Sequence, residues 1–171
     1  MANREIWGAG LGVGFTWTTA INGADMASLA SGSTVLSSVT DITNQTALDL
    51  FADISVRMTL ASTTFQAGAN VASWLAALLD DGSTYGDGSM TSGGTVTRNL
   101  PYGPIGLVTV QSAVATTVVA GFVQGVLIPP GSFRLALGNN LVNNSGTGVA
   151  LSATGGNNVV KYRTYVLNLN G

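Results

Sequence analysis

The stretch from Leu48 to Leu60 constrains the fold more than any other part of the chain. Leu48, Leu50, Ala52, Ile54, Val56, Met58 and Leu60 alternate with Asp49, Phe51, Asp53, Ser55, Arg57 and Thr59. A period of two places one residue set on each side of an extended chain, so this is a strand with one apolar face and one mostly polar face. Wound as a helix, the same residues would scatter their apolar side chains all round.

The remaining periodic segments are also short. Val71–Leu79 is apolar throughout and ends at Asp80-Asp81-Gly82. Its length and alanine content leave a helix open, but the turn chemistry at its end favours a strand covered on both faces. Residues 80–94 read as a loop, and strands are expected around Thr95–Arg98, Leu107–Gln111, Thr117–Ile128, Phe133–Leu137, Val149–Ala153 and Val159–Asn168. Pro129-Pro130-Gly131, Gly138-Asn139-Asn140, Asn143-Asn144-Ser145-Gly146 and Gly155-Gly156-Asn157-Asn158 separate them as turns. Serial short strands without an amphipathic helix predict an all-β protein, a jelly-roll-like antiparallel β-sandwich over residues 46–171.

Residues 1–45 differ in texture. They are rich in Gly, Ala, Ser and Thr, with Trp7, Phe15 and Trp17 as isolated aromatic anchors, and Val35, Leu36 and Val39 suggest one short strand. The segment reads either as an N-terminal arm reaching a neighbour or as an edge strand with irregular loop of the same domain.

Composition narrows the function. The 171 residues are 46% hydrophobic but only 8% charged, with no Cys and no His. A typical globular chain carries about 25% charged residues, so a surface this poor in charge favours protein–protein contact. Disulfides, thiolate chemistry and the usual zinc sites are excluded, and the commonest acid–base side chain is missing. Residues 1–87 carry a net −6 and residues 88–171 a net +4. That lopsidedness fits either head-to-tail contact or two interleaved halves. The few basic residues form no stripe of the kind nucleic acid needs. The uncharged segment Pro104–Pro130 is broken by Gln111, Ser112, Thr116, Thr117 and Gln124, and reads as paired strands rather than a membrane span. The first residues, Met-Ala-Asn-Arg-Glu-Ile-Trp, lack a signal peptide's apolar stretch.

Candidate chemistry is thin. Asp80, Asp81 and Asp87 lie among glycines but lack the acidic spacing of an EF-hand. On one strand face, Asp49 and Asp53 would stand about 13 Å apart, too far for a glycosidase pair. Lys161, the only lysine, alternates with Val160 and Tyr162 as a solvated strand position would. Gly8 to Gly14 lacks the dinucleotide-binding spacing. Trp74, Tyr85 and Tyr102 could form a sugar platform, or serve the core and loop anchoring. Asn44-Gln45-Thr46 and Asn143-Asn144-Ser145 match glycosylation sequons by chance. No catalytic residue, cofactor or metal is expected.

Four segments carry a resemblance: Asp80-Asp-Gly-Ser-Thr-Tyr-Gly-Asp-Gly88 after an apolar strand, Ile128-Pro-Pro-Gly-Ser-Phe-Arg-Leu-Ala-Leu-Gly-Asn-Asn140, Gly146-Thr-Gly-Val-Ala-Leu-Ser152 and Tyr162-Arg-Thr-Tyr165. Over roughly residues 46–168 the chain resembles the small jelly-roll cement, or decoration, proteins of tailed-bacteriophage capsids. The resemblance implies a virion protein on the capsid exterior that bridges major capsid protein subunits and stabilises the particle, with no catalytic residues to carry over. A homo-oligomer, dimer or trimer, is expected, with Trp7, Phe15, Trp17, Tyr85 and Tyr102 as candidate interface residues. Another phage tail, connector or fibre-base part, or a carbohydrate-binding module, are the alternatives.

Overall fold

A computed structural model of the chain describes residues 6–8, 16–36, 41–62, 64–78, 95–96, 104–111, 118–154 and 157–168, with backbone alone at 6–8, 95–96 and 166–168. The elements run β1 (Ile6–Gly8), β2 (Thr18–Ile21), α1 (Gly23–Met26), β3 (Thr34–Leu36), β4 (Ile42–Thr43), β5 (Phe51–Thr59), β6 (Asn70–Ala77), β7 (Thr95–Val96), β8 (Gly106–Thr109), β9 (Val118–Leu127), β10 (Ser132–Asn140) and β11 (Val159–Asn168). They form two antiparallel sheets. Sheet I has the order β1-β11-β5-β9, with β2 also on β11; sheet II has the order β7-β3-β10-β6-β8, with β4 also on β10.

The pairing is nested. β2 pairs β11, β3 and β4 pair β10, β5 pairs β9, and β6 pairs β8. First and third pairs lie in sheet I, second and fourth in sheet II, and the ladders β5–β11 and β6–β10 knit successive windings together. A long antiparallel ribbon rolled in this way is a jelly roll.

The core lies between the sheets. Ala52, Ile54, Val56 and Met58 of β5 face Phe133, Leu135 and Leu137 of β10 and Val71 of β6, all buried. Asn139, fully buried on β10, donates from its side-chain amide to the carbonyls of Leu29 and Val149, and its carbonyl oxygen accepts from the Leu141 amide. One side chain thereby satisfies three backbone groups that no strand ladder reaches. The other face of sheet II holds a second cluster, Leu36, Ala76 and Ala136, with Trp74 and Leu78 packed against it. The expectation that residues 71–79 form a strand covered on both faces therefore holds for β6.

One open reading narrows and one expectation changes. Residues 16–36 and 41–43 belong to the sandwich: β2, β3 and β4 are sheet strands, and Ala20, Ile21, Met26, Leu29, Val35 and Ile42 join the main core. These strands are only two to four residues long, too short for a period to emerge. Residues 149–153 make no strand, only the isolated bridge of Leu151 to Leu60. The amides of Val149, Leu151 and Ser152 donate to three different segments, at Leu141, Leu29 and Thr59, rather than along one neighbour. The 80–94 loop and the acids within it lie outside the described residues.

Sheet edges β8 and β9 lie side by side through reciprocal glycine contacts. A Cβ on Gly106 would overlap the Val123 methyl groups, and a Cβ on Gly121 would overlap those of Val108. Each glycine makes room for the valine across the seam. Gly121→Ala is expected to cost about 1–3 kcal/mol through overpacking. In urea unfolding, adding Val108→Ala should cost less in that background than alone; strict additivity would show that the seam is not where the strain lies.

Candidate functional site

Sheet I turns one face outward, and the period of two sends Phe51, Asp53, Ser55 and Arg57 of β5 to it. The ladders place Tyr165 beside Phe51, Arg163 beside Asp53 and Lys161 beside Ser55. From β9 come Leu127 opposite Phe51, Phe122 opposite Ser55, and Ala120 opposite Arg57. Cross-strand neighbours of this kind share one surface.

At its centre is a buried charge. Asp53 is 1% exposed although it lies on the face expected to be polar and solvated. Its Oδ2 accepts from Nε and Nη2 of Arg163 at 3.0 and 2.8 Å. Its Oδ1 accepts from the Tyr165 hydroxyl at 3.1 Å and the Gly125 amide at 3.0 Å. That amide is free because the β5–β9 register shifts between Ala52 and Ile54, and Gly125 takes φ +65. A bulge with glycine in the left-handed region turns a ladder N–H toward the carboxylate. Trp17 lies over the Arg163 guanidinium, 4.9 Å from ring centroid to Cζ, and meets Phe122 edge-on at 5.7 Å. Phe51 stacks on Tyr165 at 5.8 Å. Burial, then the neighbouring Asp53 carboxylate, raise the Tyr165 hydroxyl above its usual 10.0.

One end of the face is apolar. Leu127, opposite Phe51, is 71% exposed there, while Leu48 and Leu50, 56% and 51% exposed, lie just before β5, where the Ile128 amide donates to the Leu50 carbonyl. The alternation seen from 48 to 60 thus places core residues only from Ala52 onward. Leu48 and Leu50 precede β5, in a turn fixed by the buried Asn44. Its Nδ2 donates to the carbonyls of Asp49 and Pro129, and its Oδ1 accepts from the Asp49 amide. Within this turn Leu48 has φ 49, a left-handed conformation that costs a leucine roughly 1–2 kcal/mol. The committed amide of Asn44 also explains why its sequon is unsuited to a glycan on the folded chain.

The other end is cationic. Arg57 is exposed and Lys161 partly so. Arg57 opposes Val159, so Lys161 stands on its diagonal, about 7–8 Å away. Neither pairs with a carboxylate among the described residues. The described aspartates are engaged inside the fold: Asp25 accepts from the Asn22 amide, Asp41 pairs with Arg134, Asp49 accepts from the Thr164 hydroxyl and Asp53 holds Arg163.

Of the interface residues expected from sequence, Trp17 belongs to this surface. Trp7 pairs with Leu167 through its backbone in β1, and its side chain lies outside the description. Phe15, Tyr85 and Tyr102 also lie outside the described residues. Trp74 packs on the outer cluster of sheet II rather than joining a sugar platform here. Asp49 and Asp53 do not form a solvated pair, since both are buried. Among the described residues no group of three or more metal-ligating side chains converges, and no helix is long and apolar enough to cross a membrane. Compared with family models, curated proteins and solved structures, the chain matches none.

Asp53→Asn should cost about 2–3 kcal/mol in chemical denaturation, below the cost of breaking a fully buried pair because Arg163 keeps some solvent. A raised tyrosine contributes stability that is complete below its unfolded value and fades as pH climbs through the folded one. Stability should therefore fall above pH 10.0, less steeply in Tyr165→Phe. Identical alkaline profiles would remove Tyr165 as the source.

Proposed function

We propose that this chain is a virion structural protein that binds the outside of a bacteriophage capsid and stabilises it by bridging major capsid protein subunits. The observation that carries this reading is the exposure of three large apolar side chains, Leu48 and Leu50 on the turn before β5 and Leu127 on β9. Leu48 matters most among them. Glycine or asparagine would occupy φ 49 without strain, so a leucine there costs the fold stability and returns nothing to its core. A side chain kept under such terms is explained by contact outside the chain. The low charge and the stiff jelly roll, a scaffold used by viral capsid and lectin domains, agree with a role in assembly. The resemblance in residues 46–168 supplies the particular partner.

The test is binding to expanded capsids purified without this protein. The full chain should bind them and raise the temperature at which they rupture; no binding would sink the proposal. Leu48→Gly should leave the isolated protein as stable or more so, and Leu127→Asp should leave it folded, while both weaken capsid binding. Copy number separates the alternatives within a particle: a cement protein approaches the count of the major capsid protein, whereas a tail or connector part is present in a handful. Glycan-array binding without capsid binding would favour a carbohydrate module.

A further inference from the structure

We propose that the Asn22–Gly23 peptide is a site of spontaneous deamidation, and that the hydrogen-bonded cap of α1 sets its rate. The reaction is independent of the capsid reading and involves this chain and water alone. Asn-Gly occurs twice in the sequence, at 22–23 and at 170–171, and the first pair lies among the described residues. Glycine has no Cβ, so nothing hinders the approach of its nitrogen to the preceding side chain.

The step is an attack by the Gly23 backbone nitrogen on Asn22 Cγ. A bond forms between them, the bond from Cγ to Nδ2 breaks, and ammonia leaves with the proton given up by the Gly23 nitrogen. Water then adds to either carbonyl carbon of the resulting succinimide and opens it, to aspartate or to isoaspartate.

The fold leaves the nucleophile available and restrains the electrophile. Gly23 is the first residue of α1, where a backbone N–H has no acceptor within the helix, so no helical bond is lost when it reacts. Both residues are partly exposed to water. Asn22 is held by Asp25 at two points: its Oδ1 accepts from the Asp25 amide at 3.0 Å, and its own amide donates to Asp25 Oδ2 at 3.4 Å. Succinimide closure needs Asn22 Cβ and the Gly23 nitrogen nearly eclipsed about the Cα–C bond. At ψ 170 they are staggered. Closure therefore passes through an opening of the cap. With only four residues, α1 has little cooperativity of its own and can open ahead of the sheets.

The isoaspartate product has a structural consequence. Its main chain runs through the former side chain, which adds one methylene between Ile21 and Met26. Both are fully buried, and Ile21 is fixed opposite Val160 in the β2–β11 ladder, so α1 must absorb the extra length at the expense of Met26 packing.

The experiment incubates the full chain at mildly alkaline pH and follows conversion at Asn22 by peptide mass spectrometry, with enzymatic methylation to count isoaspartate. Folded wild type should convert at Asn22, more slowly than the urea-unfolded chain. Asp25→Ala should convert about fivefold faster than wild type, the factor by which a lost cap raises the open population. Asp25→Asn keeps the acceptor and removes the charge, so it should stay near wild type. Gly23→Ala should slow the reaction in folded and unfolded chains alike. Thermal unfolding of each variant confirms that it is folded. In wild type, conversion should also rise in urea well below the global transition, a measurement that needs no variant. No conversion at Asn22 in the folded chain would remove the site. Equal rates in wild type and folded Asp25→Ala, or a rate that rises only with global unfolding, would show that the cap does not control it. A slower Asp25→Asn would make the carboxylate a base rather than a restraint and overturn the inference.

Discussion

The Asp53 carboxylate holds sheet I together across three strands. It sits on β5, takes a guanidinium and a phenol from β11 and a backbone amide from β9, and is almost completely removed from water. A carboxylate in such a place is costly unless each lone pair is engaged. That requirement reaches outward. It fixes the bulge at Gly125, orients Arg163 so that Trp17 can lie on it, and places Tyr165 where Phe51 stacks. The outer face is therefore a preorganised surface, with few side chains left to order when something binds.

Around that centre, stability and exposure are divided. Core side chains fill the space between the sheets, the Gly106–Val123 and Gly121–Val108 contacts close one side, and Asn44 and Asn139 tie loops to strands through saturated amides. What remains exposed lies on the surface: Leu127 at one end of the face, and at the other Arg57 and Lys161, which meet no carboxylate among the described residues.

The strands of the second half were legible in the sequence because each is long enough to show a pattern and is cut off by Pro, Gly or Asn. β11 occupies Val159–Asn168 as its composition indicates, and β9 and β10 lie within a few residues of their expected bounds. The first forty-odd residues were less legible, since two- to four-residue strands carry no period and owe their pairing to partners far along the chain. The site was the least legible part. Asp53 looked like a solvated strand residue, and its burial follows from Arg163 and Gly125, remote in sequence. Leu48 and Leu50 continued the apolar phase of β5, and only the turn at Asn44 takes them out of the core. Trp17 alone was marked beforehand, as an aromatic isolated among small residues.

The nested pairing also governs the order in which the molecule can be completed. β11, the last of the described strands, lies between β5 and the two earliest described strands, β1 and β2. During synthesis β5 can pair with β9 first but waits for β11, so sheet I cannot close from the amino-terminal side. Contacts this remote make for slow folding, with unpaired strand edges open in the meantime. A sparsely charged chain waiting in that state has little charge to keep its open edges from pairing with those of its siblings.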